Sequence, residues 1–289
     1  MSKPPTFVPP ACARAERLVT ERGEFAVLDA RPAGAVRGTA LLVPGYTGSK
    51  EDFIALLEPL AEAGFRVVAV DGRGQYETPG PVDEAAYARP ELAADVLAQA
   101  AAVRGPGQVH LLGHSLGGQI ARAAVLRDAE PFRSLTLLSS GPAEVSEEQQ
   151  QRIELLTAAM AAMDMGQVWD AIQALATPEE LAEPDDEDGT RAETALRARW
   201  LRHSPAQLTA TGRQLRTEPD LVAELAACGL PVQVVSGERD DTWPVELMDD
   251  MARRLKADRV VIPGAEHSPN TDNPADTARA LAEFWQAHV

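Results

Sequence analysis

Apolar positions along this chain follow two alternating patterns. Short continuous runs, Thr39 to Val43, Arg66 to Val70, Val109 to Leu112 and Leu135 to Leu138, predict buried strands, and Pro231 to Val235 and Arg259 to Ile262 predict two further strands. Between them the spacing becomes helical. Lys50 to Ala63 puts Phe53, Leu56, Leu57 and Leu60 on one face and stops at Gly64; Pro90 to Val103 opens on a proline; Leu116 to Asp128 is rich in Ala and Leu. Leu221 to Ala227, Val245 to Leu255 and Asp276 to Trp285 read the same way. Ahead of these units, Arg17 to Thr20 and Glu24 to Ala30 alternate apolar and polar, as an antiparallel hairpin does, until Pro32-Ala33-Gly34 ends the pattern. Strands alternating with helices of similar length predict an α/β fold, a mostly parallel central sheet flanked by helices.

The alternation lapses once. From Glu144 to about Thr217 there is no strand-like run. Helical spacing joins Ile153, Leu155, Leu156, Met160 and Met163, then Val168, Trp169, Ile172 and Leu175. After a polar break at Pro184–Gly189, helices are expected from Arg191 to about Leu201 and from Pro205 to Leu215. The expected organisation is a core made of residues 1–142 and 218–289 with a helical insertion, 143–217, over the sheet.

Composition narrows the function. The chain has 289 residues, long enough for a large core, and 45% of them are hydrophobic. A net charge of −17 argues against nucleic acid or anionic membrane as partner, because phosphates are repelled. No apolar run reaches the ~18 residues a bilayer span needs. Met1 to Pro10 lacks the apolar stretch of a signal peptide and reads as a disordered or surface-laid lead. Cys12 and Cys228 fit no metal or redox spacing and are expected as free thiols in the cytoplasm. Asp185 to Asp188 lack the ligand spacing of a calcium loop, so no metal is expected.

The chemistry gathers at Gly113-His114-Ser115-Leu116-Gly117-Gly118, where a strand reverses into a helix. Such a reversal strains the apex residue and projects its side chain beyond the sheet beside helix-start N–H groups. A serine hydroxyl needs a base, and the base needs a group to orient it. In open α/β sheets these groups collect past the carboxyl ends of strands. After Leu135–Leu138 no carboxylate occurs before Glu144. After Pro231–Val235 come Glu238, Asp240 and Asp241; Asp240, deep in the turn between Gly237 and Pro244, is favoured over Asp241, and Glu238 least. After Arg259–Ile262, His267 is the strand-end histidine that remains; His110 lies within a strand, His203 in the insertion and His288 in the tail, and His114 points away from the hydroxyl. An oxyanion needs two donors, for which the N–H groups of Leu116 and of Tyr46, in the loop Pro44–Gly48, are the candidates.

Together, Gly113–Gly118, Gly237-Glu238-Arg239-Asp240, Gly264-Ala265-Glu266-His267-Ser268 and the turn Asp71–Tyr76 resemble the α/β-hydrolase family over nearly the whole chain, in the family's order Ser115, Asp240, His267. The resemblance implies a helical cap between strands six and seven and hydrolysis through an acyl-enzyme, with no metal or organic cofactor. Two departures are visible: Pro44 stands where the family often has histidine, and Tyr76 and Thr78 replace the usual second Gly and Ser after Asp71. A serine at the elbow argues against the branches that use aspartate there.

The expected activity is that of a carboxylesterase acting on small to medium apolar acyl esters. Monoacylglycerol lipase, thioesterase, lactonase, carbon–carbon hydrolase and perhydrolase activities use the same triad, and a non-catalytic ligand-binding protein can use the same scaffold. Tyr46, His114 and Trp243 are placed by their motifs near the serine; Met160, Met163, Met165 and Trp169 either line an adaptable apolar pocket or pack the insertion onto the core. The expected partner is a small-molecule ester, with a homodimer left open.

Overall fold

In the computed structural model residues 2–105, 107–175 and 187–289 are described. Eight strands form one sheet: β1 (Ala13–Thr20), β2 (Gly23–Ala30), β3 (Gly38–Val43), β4 (Phe65–Val70), β5 (Val109–His114), β6 (Phe132–Leu138), β7 (Val232–Gly237) and β8 (Asp258–Ile262). Their spatial order is β1-β2-β4-β3-β5-β6-β7-β8. β1 pairs with β2, and β2 with β4, antiparallel; all later pairs are parallel.

The continuous apolar runs follow from this placement. Successive side chains of a strand point to opposite faces, so a strand covered on both sides needs apolar residues throughout. Leu41, Val68, Leu111, Leu135 and Val234 face one buried cluster. Their neighbours Leu42, Val67, Leu112, Leu138 and Val235 face another. The helices are α1 (Ile54–Glu62), α2 (Arg89–Val103), α3 (Leu116–Arg127), α4 (Glu147–Ala162), α5 (Met165–Leu175), α6 (Glu187–Arg202), α7 (Pro205–Leu215), α8 (Val222–Ala227), α9 (Val245–Leu255), α10 (Pro269–Asp272) and α11 (Pro274–Gln286). The first cluster takes Val96, Ile120, Leu225 and Met248 from α2, α3, α8 and α9. The second takes Leu57 and Leu60 from α1 and Leu281 and Trp285 from α11.

Helices α4 to α7 all lie between β6 and β7. They have a small centre of their own, Val168, Trp169, Leu196, Trp200 and Leu208. Helix α6 begins at Glu187, so part of the polar stretch expected as a break is helical; the remaining residues of the acidic run, Asp185 and Asp186, lie outside the described residues.

Of the two alternatives expected for the leading residues, a disordered or a surface-laid lead, residues 2–7 take the second and form a specific strap. Ser2 hydrogen-bonds through Oγ to Ser268 Oγ at 3.0 Å, and its carbonyl accepts from Arg199 Nη2 at 2.7 Å. Pro4 is buried, and Phe7 packs against the cluster of α5, α6 and α7. The anchor is Arg199, which is fully buried and also donates to Asp52 at 2.6 Å. Among the described residues no helix is long and apolar enough to cross a membrane. Cys12 and Cys228 are unpaired thiols.

Candidate active site

Ser115 sits at the end of β5 with φ 55° and ψ −120°, in the left-handed region an L-residue rarely occupies. The small residues around it are a packing necessity. A Cβ on Gly113 would collide with the Gly117 carbonyl, and one on Gly117 with the carbonyls of Val43 and Pro44. The strained apex is held by its own backbone: Ser115 N–H donates to Leu138 O at 2.9 Å, and its carbonyl accepts from Gly118 N–H at 2.9 Å.

Three separate strand ends converge here. His267, in the loop after β8, places Nε2 3.0 Å from Ser115 Oγ. Its Nδ1 lies 2.9 Å from both carboxylate oxygens of Asp240, in the loop after β7. The Asp240 side chain is fully buried, whereas a quarter of the His267 side chain is exposed. Asp240 is aimed by its own turn, since Oδ1 also accepts from Thr242 N–H at 2.8 Å and Trp243 N–H at 3.1 Å. The competing carboxylates are engaged elsewhere. Glu238 accepts from Gly264 N–H, and the exposed Asp241 pairs with Gln149 and Arg152 of α4.

His114 is buried and donates through Nε2 to the His267 carbonyl at 2.9 Å, which fixes the loop carrying His267. Burial, reinforced by the neighbouring His267, pushes the His114 imidazole down to about 3. It is therefore neutral near pH 7, with its single proton on Nε2. Trp243 is fully buried; its indole N–H lies 3.0 Å from the carbonyls of Ala143 and Glu144, and its ring stands 6.2 Å from that of His267. It backs His267 and contributes no exposed wall. The remaining histidines have structural surroundings. His110 stacks on Trp285 and meets Ser134 Oγ. His203 lies between the carbonyls of Arg199 and Gly48, and His288 meets Phe284 O.

The loop after β3 runs beside the serine. A Cβ on Gly45 would stand 3.3 Å from Ser115 Cβ. Neither the Tyr46 nor the Leu116 N–H donates to a backbone carbonyl among the described residues. The Tyr46 side chain leaves the loop for the inserted helices, where its hydroxyl donates to Leu208 O of α7 at 2.8 Å. Burial pushes this phenol far above its ordinary range, so it stays a donor. Trp169 belongs to the buried centre of the inserted helices, Met160 and Met165 pack on its flank, and Met163 is exposed.

The turn after β4 also bears on this loop. Asp71 accepts from the Lys50 backbone and Nζ and from Glu77 N–H. Thr78 supplies a hydroxyl that donates to Asp71 O and accepts from Ala26 N–H, so the exchange of Ser for Thr preserves this bridge. Tyr76 stands at φ 37°, where the family pattern has glycine. Three partners escaped the sequence reading: Gln75, Arg199 and Ser2. Arg199 and Ser2 lie in no recognisable motif, Gln75 lies in the turn Asp71–Tyr76 where nothing local marks its role, and each acts through a residue distant in the chain.

Among the described residues no group of three or more His, Cys, Asp or Glu side chains is arranged to hold a metal ion. Comparisons with known proteins agree with the fold. The chain is 30% identical to the pimeloyl-[acyl-carrier protein] methyl ester esterase of Aeromonas hydrophila, over 78% of this chain and 87% of that one. It is 24% identical to a Bacillus subtilis protein provisionally named 2-succinyl-6-hydroxy-2,4-cyclohexadiene-1-carboxylate synthase, over 92% and 96%. Among solved structures, an esterase from Thermogutta terrifontis superposes with a TM-score of 0.71 at 23% identity, covering 96% of this chain and all of that one. E-2-(acetamidomethylene)succinate hydrolase gives the same score and identity over 95% and 99%. The profile described as "Alpha/beta hydrolase family" matches residues 40–280, and the chain belongs to that family.

Proposed function

We propose that this protein is a carboxylesterase that cleaves small to medium, largely apolar acyl esters through a covalent acyl-enzyme on Ser115. The observation that carries the reading is the continuous chain Ser115–His267–Asp240, with contacts of 3.0 and 2.9 Å. In this mechanism His267 Nε2 takes the Ser115 proton as Oγ attacks the ester carbonyl. Asp240 holds the imidazole with Nε2 free to accept and stabilises its charged form. The carbonyl oxygen becomes an oxyanion, and the N–H groups of Leu116 and Tyr46 are the donors proposed for it. Collapse expels the alcohol with the proton from His267. Water, activated by the same imidazole, then releases the acid and regenerates the hydroxyl.

Residues 143–217 act as a cap in this proposal, joined to the oxyanion loop by Tyr46 and Leu208. Met160, on the flank of the cap cluster, is the leading residue for contact with the acyl chain, whereas Trp169 holds the cap together. The ester-hydrolysing relative supports the reaction class. A p-nitrophenyl ester series from acetate to palmitate tests the proposal. The expected result is a maximum of kcat/KM at short to intermediate acyl length. Absence of turnover on every member would contradict it.

A further inference from the structure

We infer that Gln75 is a positioning residue for the oxyanion donor on Tyr46, an inference that rests on the esterase reading above. A trans peptide is planar, so its C=O and N–H point in opposite directions. Whatever holds the Gly45 carbonyl therefore also aims the Tyr46 N–H. Gln75 Nε2 donates to Gly45 O at 2.7 Å, and Gly48 N–H reaches the same oxygen at 3.2 Å. With the carbonyl held by these two donors, the Tyr46 N–H at the other end of the same peptide has its direction set, and it donates to no backbone carbonyl among the described residues. The loop is close enough for this to matter, since a Cβ on Gly45 would lie 3.3 Å from Ser115 Cβ.

Gln75 itself has little freedom. It is 5% exposed, and its Oε1 accepts from Gly72 N–H at 3.0 Å. A carboxamide accepts only through oxygen and donates only through nitrogen, so these two partners fix which end faces the loop. The turn that carries it is clamped by Asp71, through the Lys50 and Glu77 contacts, and Gln75 N–H closes the turn on Gly72 O at 3.0 Å. A rigid turn after β4 thus presets a dipole in the loop after β3. Electrostatic stabilisation of this kind is effective because the donor is oriented before charge develops.

The test compares wild type with Gln75→Met, which removes the donor, and Gln75→Glu, which keeps the acceptor for Gly72 but faces Gly45 O with a second acceptor. Outright loss of an oxyanion donor costs about 10²–10³ in rate. Misdirection of one is expected to lower kcat on p-nitrophenyl butyrate by roughly 10-fold or more, with KM moving less than about 3-fold. Binding of a trifluoromethyl ketone, whose serine hemiketal carries an oxyanion, should weaken in parallel, and the pH profile should keep its shape. A packing role would instead lower the melting temperature without this parallel loss. If Gln75→Met does not fold, Gln75→Glu carries the test alone. Variants with wild-type kcat, or with lowered kcat and undiminished ketone affinity, overturn the assignment. A wild type that neither turns over esters nor reacts with a fluorophosphonate overturns the esterase reading instead.

Discussion

The sheet rim and the inserted helices solve opposite problems. At the rim every reacting group is held by backbone. Ser115 is anchored to Leu138 and Gly118, Asp240 accepts from two N–H groups of its own turn, and the His267 carbonyl is bonded by His114. In the inserted helices the hold is thinner. Helix α4 buries only Ile153, Leu155 and Met163 are exposed, and among the described residues the shared centre is five residues. The rim fixes geometry on which rate depends to fractions of an ångström. The helices reach it through few bonds, among them Tyr46 to Leu208 and Asp241 to Gln149 and Arg152. On the proposed reading, chemistry falls to the closely bonded rim and choice of acyl group to the inserted helices.

The sharpest break of this comparison is Ser115→Ala. In a triad enzyme, loss of the nucleophile costs on the order of 10⁶ in kcat. Here the melting temperature should hold or rise, because Ala removes no packing. Steady-state kinetics with differential scanning fluorimetry checks both halves. Gly117→Ala should come next. Its methyl would enter the carbonyls of Val43 and Pro44, so soluble yield and activity are expected to fall together. Trp200→Ala strikes the opposite region: the ring is almost fully buried in the helical centre, and removal of a buried Trp typically costs about 3–5 kcal/mol. If the regions are separable, limited proteolysis of this variant should cut first within 143–217 while the core resists.

Acid should expose a shared weakness. Burial pushes His110 and His203 down to about 4 and His114 to about 3, all from 6.5. Between pH 6.5 and about 4 the unfolded chain therefore binds protons that the folded chain refuses. Their neutral burial is free of this cost above pH 6.5, and stability is lost as the pH falls through that window. Urea unfolding at pH 7.5, 6 and 5 measures it, and replacing His110 by Gln should remove part of the slope. The smallest effect belongs to Met160→Ala. It should shift the preferred acyl length while leaving p-nitrophenyl acetate hydrolysis within about 3-fold.

The sequence made the rim legible because each group there carries a local signature. A small–x–Ser–x–small elbow is required by the collision of strand and helix, and the acid and base follow strand ends in chain order. Continuous apolar runs mark six parallel strands; five of them are covered on both faces, and the edge strand β8 leaves Val261 exposed. The unread parts depend on partners distant in sequence. Arg199 looks like one more helical cation until Asp52 and the Ser2 carbonyl enclose it. Gln75 looks like a turn residue until Gly45 comes beside it. The leading residues carry no periodicity, so nothing in them announced contact with Ser268, the neighbour of His267. Trp243 follows Asp240 in the chain and its ring stands 6.2 Å from that of His267, but position in the sequence does not tell a buried backing residue from an exposed pocket wall.

The central claim is that His267 activates Ser115, and labelling with a fluorophosphonate followed by peptide mass spectrometry tests it most directly. Wild type should carry one adduct, on the peptide containing Ser115, and His267→Ala should react slower by orders of magnitude while remaining folded. An adduct on a different residue, or an undiminished rate in His267→Ala, would contradict the account.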